Sequence, residues 1–139
     1  MVANTGTYID APFHRYATGK DLSELSLHST ANLDSVVIRV EQDVQSIGPE
    51  LFEGQHLKGK AVLIHTGWDR HWNTEQYYEG HSFLTAEAAE HLRDAGAVLV
   101  GIDSYNIDDT ADKGRPVHSI LLGADIPIVE HMTNLSSLP

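Results

Sequence analysis

The run Ala97-Val98-Leu99-Val100-Gly101-Ile102-Asp103 constrains the fold more than any other stretch of the sequence. Its apolar residues are continuous and do not alternate with polar ones, so a strand made from it is buried on both faces. Thr85 to Ala95 precedes it and reads as a helix. Thr85 is a good N-cap, Glu87 lies in the first turn, and Gly96 follows as the closing residue. Ser35 to Val40 is β-branched and apolar, and Lys60 to Trp68 is a second strong strand, ending in Gly67 and an aromatic segment. Pro116 to Gly123 has proline near its start and glycine at its end, which marks a short helix, and Ile126 to Glu130 is a last short strand. At 139 residues, with 41% apolar and 21% charged residues, the chain reads as one domain, residues 1–139, with a real core.

Composition removes several classes of function. With no cysteine there is no disulfide, no thiolate catalysis and no cysteine-type zinc site. A net charge of −11 disfavours nucleic-acid and anionic-membrane partners. No run has transmembrane length and no signal peptide opens the chain, so the expected compartment is cytoplasmic. Nine histidines are more than one site uses, so most are structural or exposed.

The stretch Asn4-Thr5-Gly6-Thr7-Tyr8-Ile9-Asp10-Ala11-Pro12-Phe13-His14 is the candidate site. In an extended chain Tyr8 and Asp10 share a face and Ile9 points the other way, towards a core. Pro12 lacks an N–H and ends the strand, and His14 just beyond can fold back beside Asp10. A carboxylate and an imidazole placed so suit metal ligation or proton transfer. Asp103, at the end of the buried strand, is placed to orient a catalytic group. Asp108, Asp109 and Asp112 read as solvated loop charges. His81 is a minor candidate for substrate contact, and His65 and His71 read as surface or supporting groups. Trp68 and Trp72 either line a pocket for an aromatic substrate or pack in the core.

The opening stretch resembles the His-x-Gly-Thr-His-x-Asp-x-Pro-x-His signature of the cyclase-like metal-dependent hydrolases, the family that includes kynurenine formamidase (arylformamidase). Gly6, Thr7, Asp10, Pro12 and His14 match, while Asn4 and Tyr8 stand at the two leading histidines. Thr66-Gly67-Trp68, Gly101-Ile102-Asp103, the Val117-His118-Ser119-Ile120-Leu121-Leu122 helix and Glu130 also resemble the family. The resemblance implies an α/β fold of the swivelling β/β/α type, a mixed sheet with flanking short helices. It also implies two metal sites that share Asp10. Asp10, His118 and Glu130 match the second ligand set, and the first is damaged. Asn4 offers only a neutral amide oxygen, and Tyr8 would have to shed a proton of reference pKa about 10. The expectation is therefore one divalent ion, zinc or manganese, held by Asp10, His118 and Glu130, activating water for hydrolysis of a C–N bond in a formamide or cyclic amide. His14 would be the proton-handling residue, as the resemblance implies, and a neutral Tyr8 would donate to the developing oxyanion. The alternative is a non-catalytic binding or scaffolding relative that has lost its metal centre. The family's leading segment is expected to be absent. That would leave an exposed edge for a homodimer or higher homo-oligomer to cover.

Overall fold

The computed structural model describes residues 5–41 and 43–139. Asn4, which stands at the first leading histidine of the motif, lies outside the described residues. In chain order the strands are β1 (Tyr8–Asp10), β2 (Ser35–Arg39), β3 (Ser46–Ile47), β4 (Ala61–His65), β5 (Phe83–Leu84), β6 (Leu99–Ile102) and β7 (Ile128–Glu130). Helix α1 (Ala86–Asp94) falls between β5 and β6, and helix α2 (Pro116–Gly123) between β6 and β7. Five strands make one mixed sheet in the order β1-β7-β6-β4-β2, and β3 pairs with β5 in a separate parallel ribbon. Only β1 runs antiparallel within the larger sheet, beside β7. This is the α/β class expected from the sequence, a swivelling β/β/α domain with a mixed sheet and short helices.

Strand alternation sorts the side chains onto two faces. Val62, Ile64, Val100, Ile102 and Ile128 point to the main core, where Ala88, Ala89 and Leu92 of α1 and Val117, Leu121 and Leu122 of α2 meet them. The opposite face carries Ala61, Leu63 and Leu99, closed over by Leu135 and by partly buried Ile9, Val129 and Met132. Both faces are covered, which is why β4 and β6 are apolar at nearly every position. Gly101 leaves this second face room for the Met132 side chain, which a Cβ at position 101 would force to shift.

The ends of these elements follow local chemistry. Thr85 caps α1, its hydroxyl accepting from Ala88 N at 3.2 Å. Gly96 continues past the helix at φ 81, which a side-chain-bearing residue adopts reluctantly. β4 stops earlier than the apolar run suggests, at His65. The cause is Asp103, whose buried carboxylate accepts from Thr66 N (2.8 Å), Thr66 Oγ1 (2.6 Å) and Gly67 N (2.8 Å). Gly67 then turns the chain at φ 71 into a 3-10 turn, Trp68–His71. Asp103 thus anchors a turn, and its nearest histidine, His65, has Nε2 3.9 Å from it. Burial pushes the Asp103 carboxyl above the usual range, against these hydrogen bonds.

Candidate functional site

Tyr8, Asp10 and Glu130 meet because of strand register. Tyr8 lies directly opposite Glu130 in the antiparallel β1–β7 pair, and Asp10 is opposite Ile128. Tyr8 and Asp10 therefore share a face with Glu130, while Ile9 and Val129 pair on the other side. The Tyr8 hydroxyl donates to Glu130 Oε2. Pro12 ends β1, and the 3-10 turn Pro12–His14 folds back so that His14 Nδ1 lies 3.2 Å from Asp10 Oδ1. Helix α2 adds His118 from the helix-covered face of the sheet. Its Nε2 is 3.5 Å from Asp10 Oδ2 and 3.7 Å from Glu130 Oε1.

Asp10, His14 and His118 present ligand-type atoms within 4.8 Å of one another. Asp10, His118 and Glu130 are buried, while His14 is exposed at the rim. Among the described residues, two buried polar atoms in this cluster have no hydrogen-bond partner, Asp10 Oδ2 and His118 Nε2. Orphaned buried polar atoms are costly and uncommon, and two that face each other mark a place built to take something. Glu130 is engaged at both oxygens: Oε1 accepts from Ile107 N at 2.7 Å and Oε2 from Tyr8. Each carboxylate oxygen has more than one lone pair, so these bonds leave capacity on Oε1 towards His118.

Asp108 departs from its reading as a solvated loop charge. It is 1% exposed. Its Oδ1 accepts from Val117 N at 2.7 Å, and its Oδ2 accepts from His118 N at 3.0 Å and pairs with His118 Nδ1 at 2.6 Å. The physical reason lies in α2. Its N-cap is Arg115, whose side chain makes no capping bond, so the first N–H groups of the helix need an acceptor from elsewhere. That uncapped start was the sequence signal for an acidic residue nearby. The same contact orients the imidazole: Nδ1 carries the proton towards Asp108 and Nε2 faces Asp10. Burial lowers the ring's pKa, but the carboxylates of Asp10, Asp108 and Glu130 outweigh it and hold it above the usual histidine value. Burial raises the Asp108 carboxyl, but the hydrogen bonds from His118 and Val117 outweigh it and hold it below the usual range. Asp109 and Asp112 are loop residues that accept from backbone N–H groups of their own turns. His81 is buried, and its Nε2 meets the Asp108 carbonyl at 3.2 Å, so it supports this loop.

Burial and the Glu130 charge push the Tyr8 phenol far up, so it is a neutral donor. Burial also raises Glu130, against the pull of His118 and the bond from Tyr8. Burial lowers His14, with Asp10 opposing, which leaves the ring neutral near pH 7.

An aromatic cleft of about 470 Å³ has Trp72, Tyr77, His131 and Met132 among its walls and Asp69 at its edge. Asp10, His14, His118 and Glu130 do not line it, and it meets the cluster through the Tyr8–His131 ring contact. The His131 ring lies 5.4 Å from Tyr8, 5.6 Å from Tyr77 and 6.0 Å from Trp72. Tyr77 OH and His131 Nδ1 are 2.8 Å apart. Trp72 is thus a wall residue, 53% exposed, whereas Trp68 is half-buried and donates its indole N–H to the Tyr77 carbonyl at 3.0 Å. The sequence alone does not mark Tyr77 and His131 as cleft walls; the fold brings His131 against Tyr8 and Tyr77 against His131. No helix among the described residues is long and apolar enough to cross a membrane.

Comparison with known proteins agrees with this architecture. Residues 1–109 match the model of the Cyclase family, described as "Putative cyclase". Kynurenine formamidase of Bacillus cytotoxicus is 32% identical over 133 residues, covering 95% of this chain and 62% of that protein. The Bacillus mycoides kynurenine formamidase is 31% identical with the same coverage. The chain thus spans about 62% of the length of the curated relatives it matches. A solved structure described as a potential metal-dependent hydrolase with cyclase activity superposes with a TM-score of 0.77 at 25% identity, covering 100% of this chain and 67% of the other. An isatin hydrolase bound to the product analogue thioisatinate superposes at 0.84 with 23% identity, covering 100% and 63%, and supports the fold. On the family model and these identities, the chain belongs to the Cyclase family.

Proposed function

We propose that this chain is a metal-dependent hydrolase of the C–N bond in a formamide or cyclic amide, arylformamidase-like in substrate class. The observation that carries the reading is the pair of buried atoms, Asp10 Oδ2 and His118 Nε2, that have no hydrogen-bond partner among the described residues. A carboxylate oxygen and an imidazole nitrogen oriented by a carboxylate behind it are the donor types a divalent ion takes. Asp10 and His118 would hold the ion, with Glu130 as third donor, and zinc and manganese both suit such a nitrogen-and-oxygen set. When bound, the ion supplies Lewis-acid activation of water and of the substrate carbonyl.

The chain's own residues supply the rest. Asp108 holds His118 in the right tautomer. The cleft walls at Trp72, Tyr77 and His131 orient a planar ring and keep water from it. His14, held by Asp10 at the rim, is the group for moving a proton to the departing nitrogen. Tyr8 holds Glu130 in the resting site, and its neutral phenol becomes the oxyanion donor when it turns to substrate. Tyr8→Phe is expected to lower kcat by at least about tenfold with metal content unchanged; an unaltered kcat removes Tyr8 from the chemistry. The small-molecule substrate is the functional partner, and a homodimer or higher assembly in the cytoplasm accompanies this reading.

Elemental analysis of protein purified without chelator or affinity tag, beside Asp10→Ala, tests it. The expected result is about one zinc or manganese per chain, lost in the variant, together with turnover of aryl formamides. A protein that takes up neither metal after soaking, and turns over no amide, would instead be the non-catalytic binding relative.

A further inference from the structure

Two arginines beside the site, Arg15 and Arg115, have no charged partner among the described residues. Arg115 places Nη1 and Nη2 3.3 and 3.4 Å from His14 Nε2, and among the described residues it forms no ion pair. Among the described residues only Lys20 and Arg93 of the nine lysines and arginines form an ion pair, so what marks Arg115 is its place against His14, although Asp108, Asp109 and Asp112 all lie within a few positions. Asp108 is committed to α2 and His118, and Asp109 and Asp112 to their own turns. Nearby Arg15 is occupied too, donating to Ser119 Oγ at 3.0 Å and the Gly114 carbonyl at 2.7 Å.

The Arg115 contact also fixes the state of His14. A guanidinium only donates, so His14 Nε2 is the accepting lone pair and Nδ1 carries the proton towards Asp10. Arg115 therefore covers the one atom of His14 that can accept a proton. The contact is long, and its acceptor is neutral. A carboxylate offers two charged oxygens in the planar arrangement that a guanidinium fits, and would displace the imidazole readily. Next to His14, Asp10, Phe13 and Leu22 line an open cleft of about 480 Å³, with Phe13 and Leu22 each 58% exposed. Arg115 itself lines a smaller recess of about 160 Å³ with Lys113 and the already engaged Asp108, Asp109 and Asp112, and meets the larger cleft through His14.

We infer that Arg115 is a carboxylate-recognition residue: it selects amide substrates that bear a carboxylate group, and by taking that carboxylate it uncovers His14 Nε2. The selectivity rests on the hydrolase reading above; the binding of a carboxylate does not.

Two measurements separate them. The first compares kcat/KM for 2-formamidobenzoate and for neutral formanilide in wild type, Arg115→Gln and Arg115→Lys. The ratio of the two is expected to fall by about tenfold or more in Arg115→Gln and to recover in part in Arg115→Lys. An unchanged ratio overturns the inference. The second is a fluorescence titration of chelator-treated protein with 2-aminobenzoate, which needs no turnover and leaves no metal for the carboxylate to bind. Wild type should bind at least about tenfold more tightly than Arg115→Gln. Equal affinity, or no binding to wild type, overturns the inference. If neither formamide is hydrolysed but the titration separates the two proteins, the hydrolase reading fails and the carboxylate site stands.

Discussion

Asp108→Ala is expected to cost about 3–5 kcal/mol of stability and to weaken metal binding by about 10- to 100-fold. The substitution removes the acceptor for three donors at once: the backbone N–H groups of Val117 and His118, and His118 Nδ1. Two of the three bonds belong to the first turn of α2, which has no side-chain cap of its own. The third fixes a histidine that is 0% exposed, so water does not replace the lost partner. Each kcal/mol lowers the melting temperature of a domain this size by about 4 °C, which puts the expected drop above about 10 °C. Asp108→Asn separates the two effects. An amide still accepts from the helix N-terminus, but its NH₂ meets Nδ1 and turns the imidazole into the tautomer with a proton on Nε2. Metal affinity should then fall more than stability does, and ¹⁵N shifts of the His118 ring should report the exchanged tautomer. Asp109→Ala is the control, because Asp109 only accepts from Ala111 N at 2.9 Å in an exposed loop. Should Asp108→Ala bind metal as tightly as wild type, Asp108 is a helix cap alone.

Asp103→Ala is the second large effect, at about 2–4 kcal/mol. Asp103 is 0% exposed and takes three donors from Thr66 and Gly67, both oxygens being used. Without it the turn after β4 loses its anchor and buried N–H groups are left without partners. Asp103→Asn does not rescue, since one end of the amide must then face an N–H with another N–H. The turn leads into Trp68 and Trp72, and Trp72 is a wall of the aromatic cleft. The loss should therefore raise KM for aryl substrates as well as lower the melting temperature. Denaturant unfolding beside steady-state kinetics measures both. A destabilised variant with an unchanged KM would mean that the cleft wall does not depend on this turn.

Elements with a strong local signal were legible. The helix at Thr85 to Ala95 has an N-cap, an acid in its first turn and a glycine at its end, and the structure forms α1 over Ala86–Asp94. Pro116 to Gly123 is the helix it was read to be. Strand ends were less legible: the run to Trp68 yields only Ala61–His65, because a distant carboxylate pulls Thr66 and Gly67 out of the strand.

For the site, the sequence by itself determined which chemistry was on offer. Asp10 and His14 are four residues apart across a proline, so local geometry alone brings them to 3.2 Å. The choice of companions was made only in three dimensions. Glu130 reaches Tyr8 through antiparallel register, and His118 reaches Asp10 because α2 packs on the same face of the sheet. The reversal of Asp108, from loop charge to buried anchor, has the same origin. Whether a carboxylate is solvated or buried depends on which donors the fold leaves without partners, and here those were the first N–H groups of a helix eight residues further along the chain. Tyr77, His131 and Arg115 likewise acquire their meaning from neighbours remote in sequence. Short-range sterics and hydrogen bonding fix the elements, while desolvation and pairing between elements decide which polar groups are left free to act.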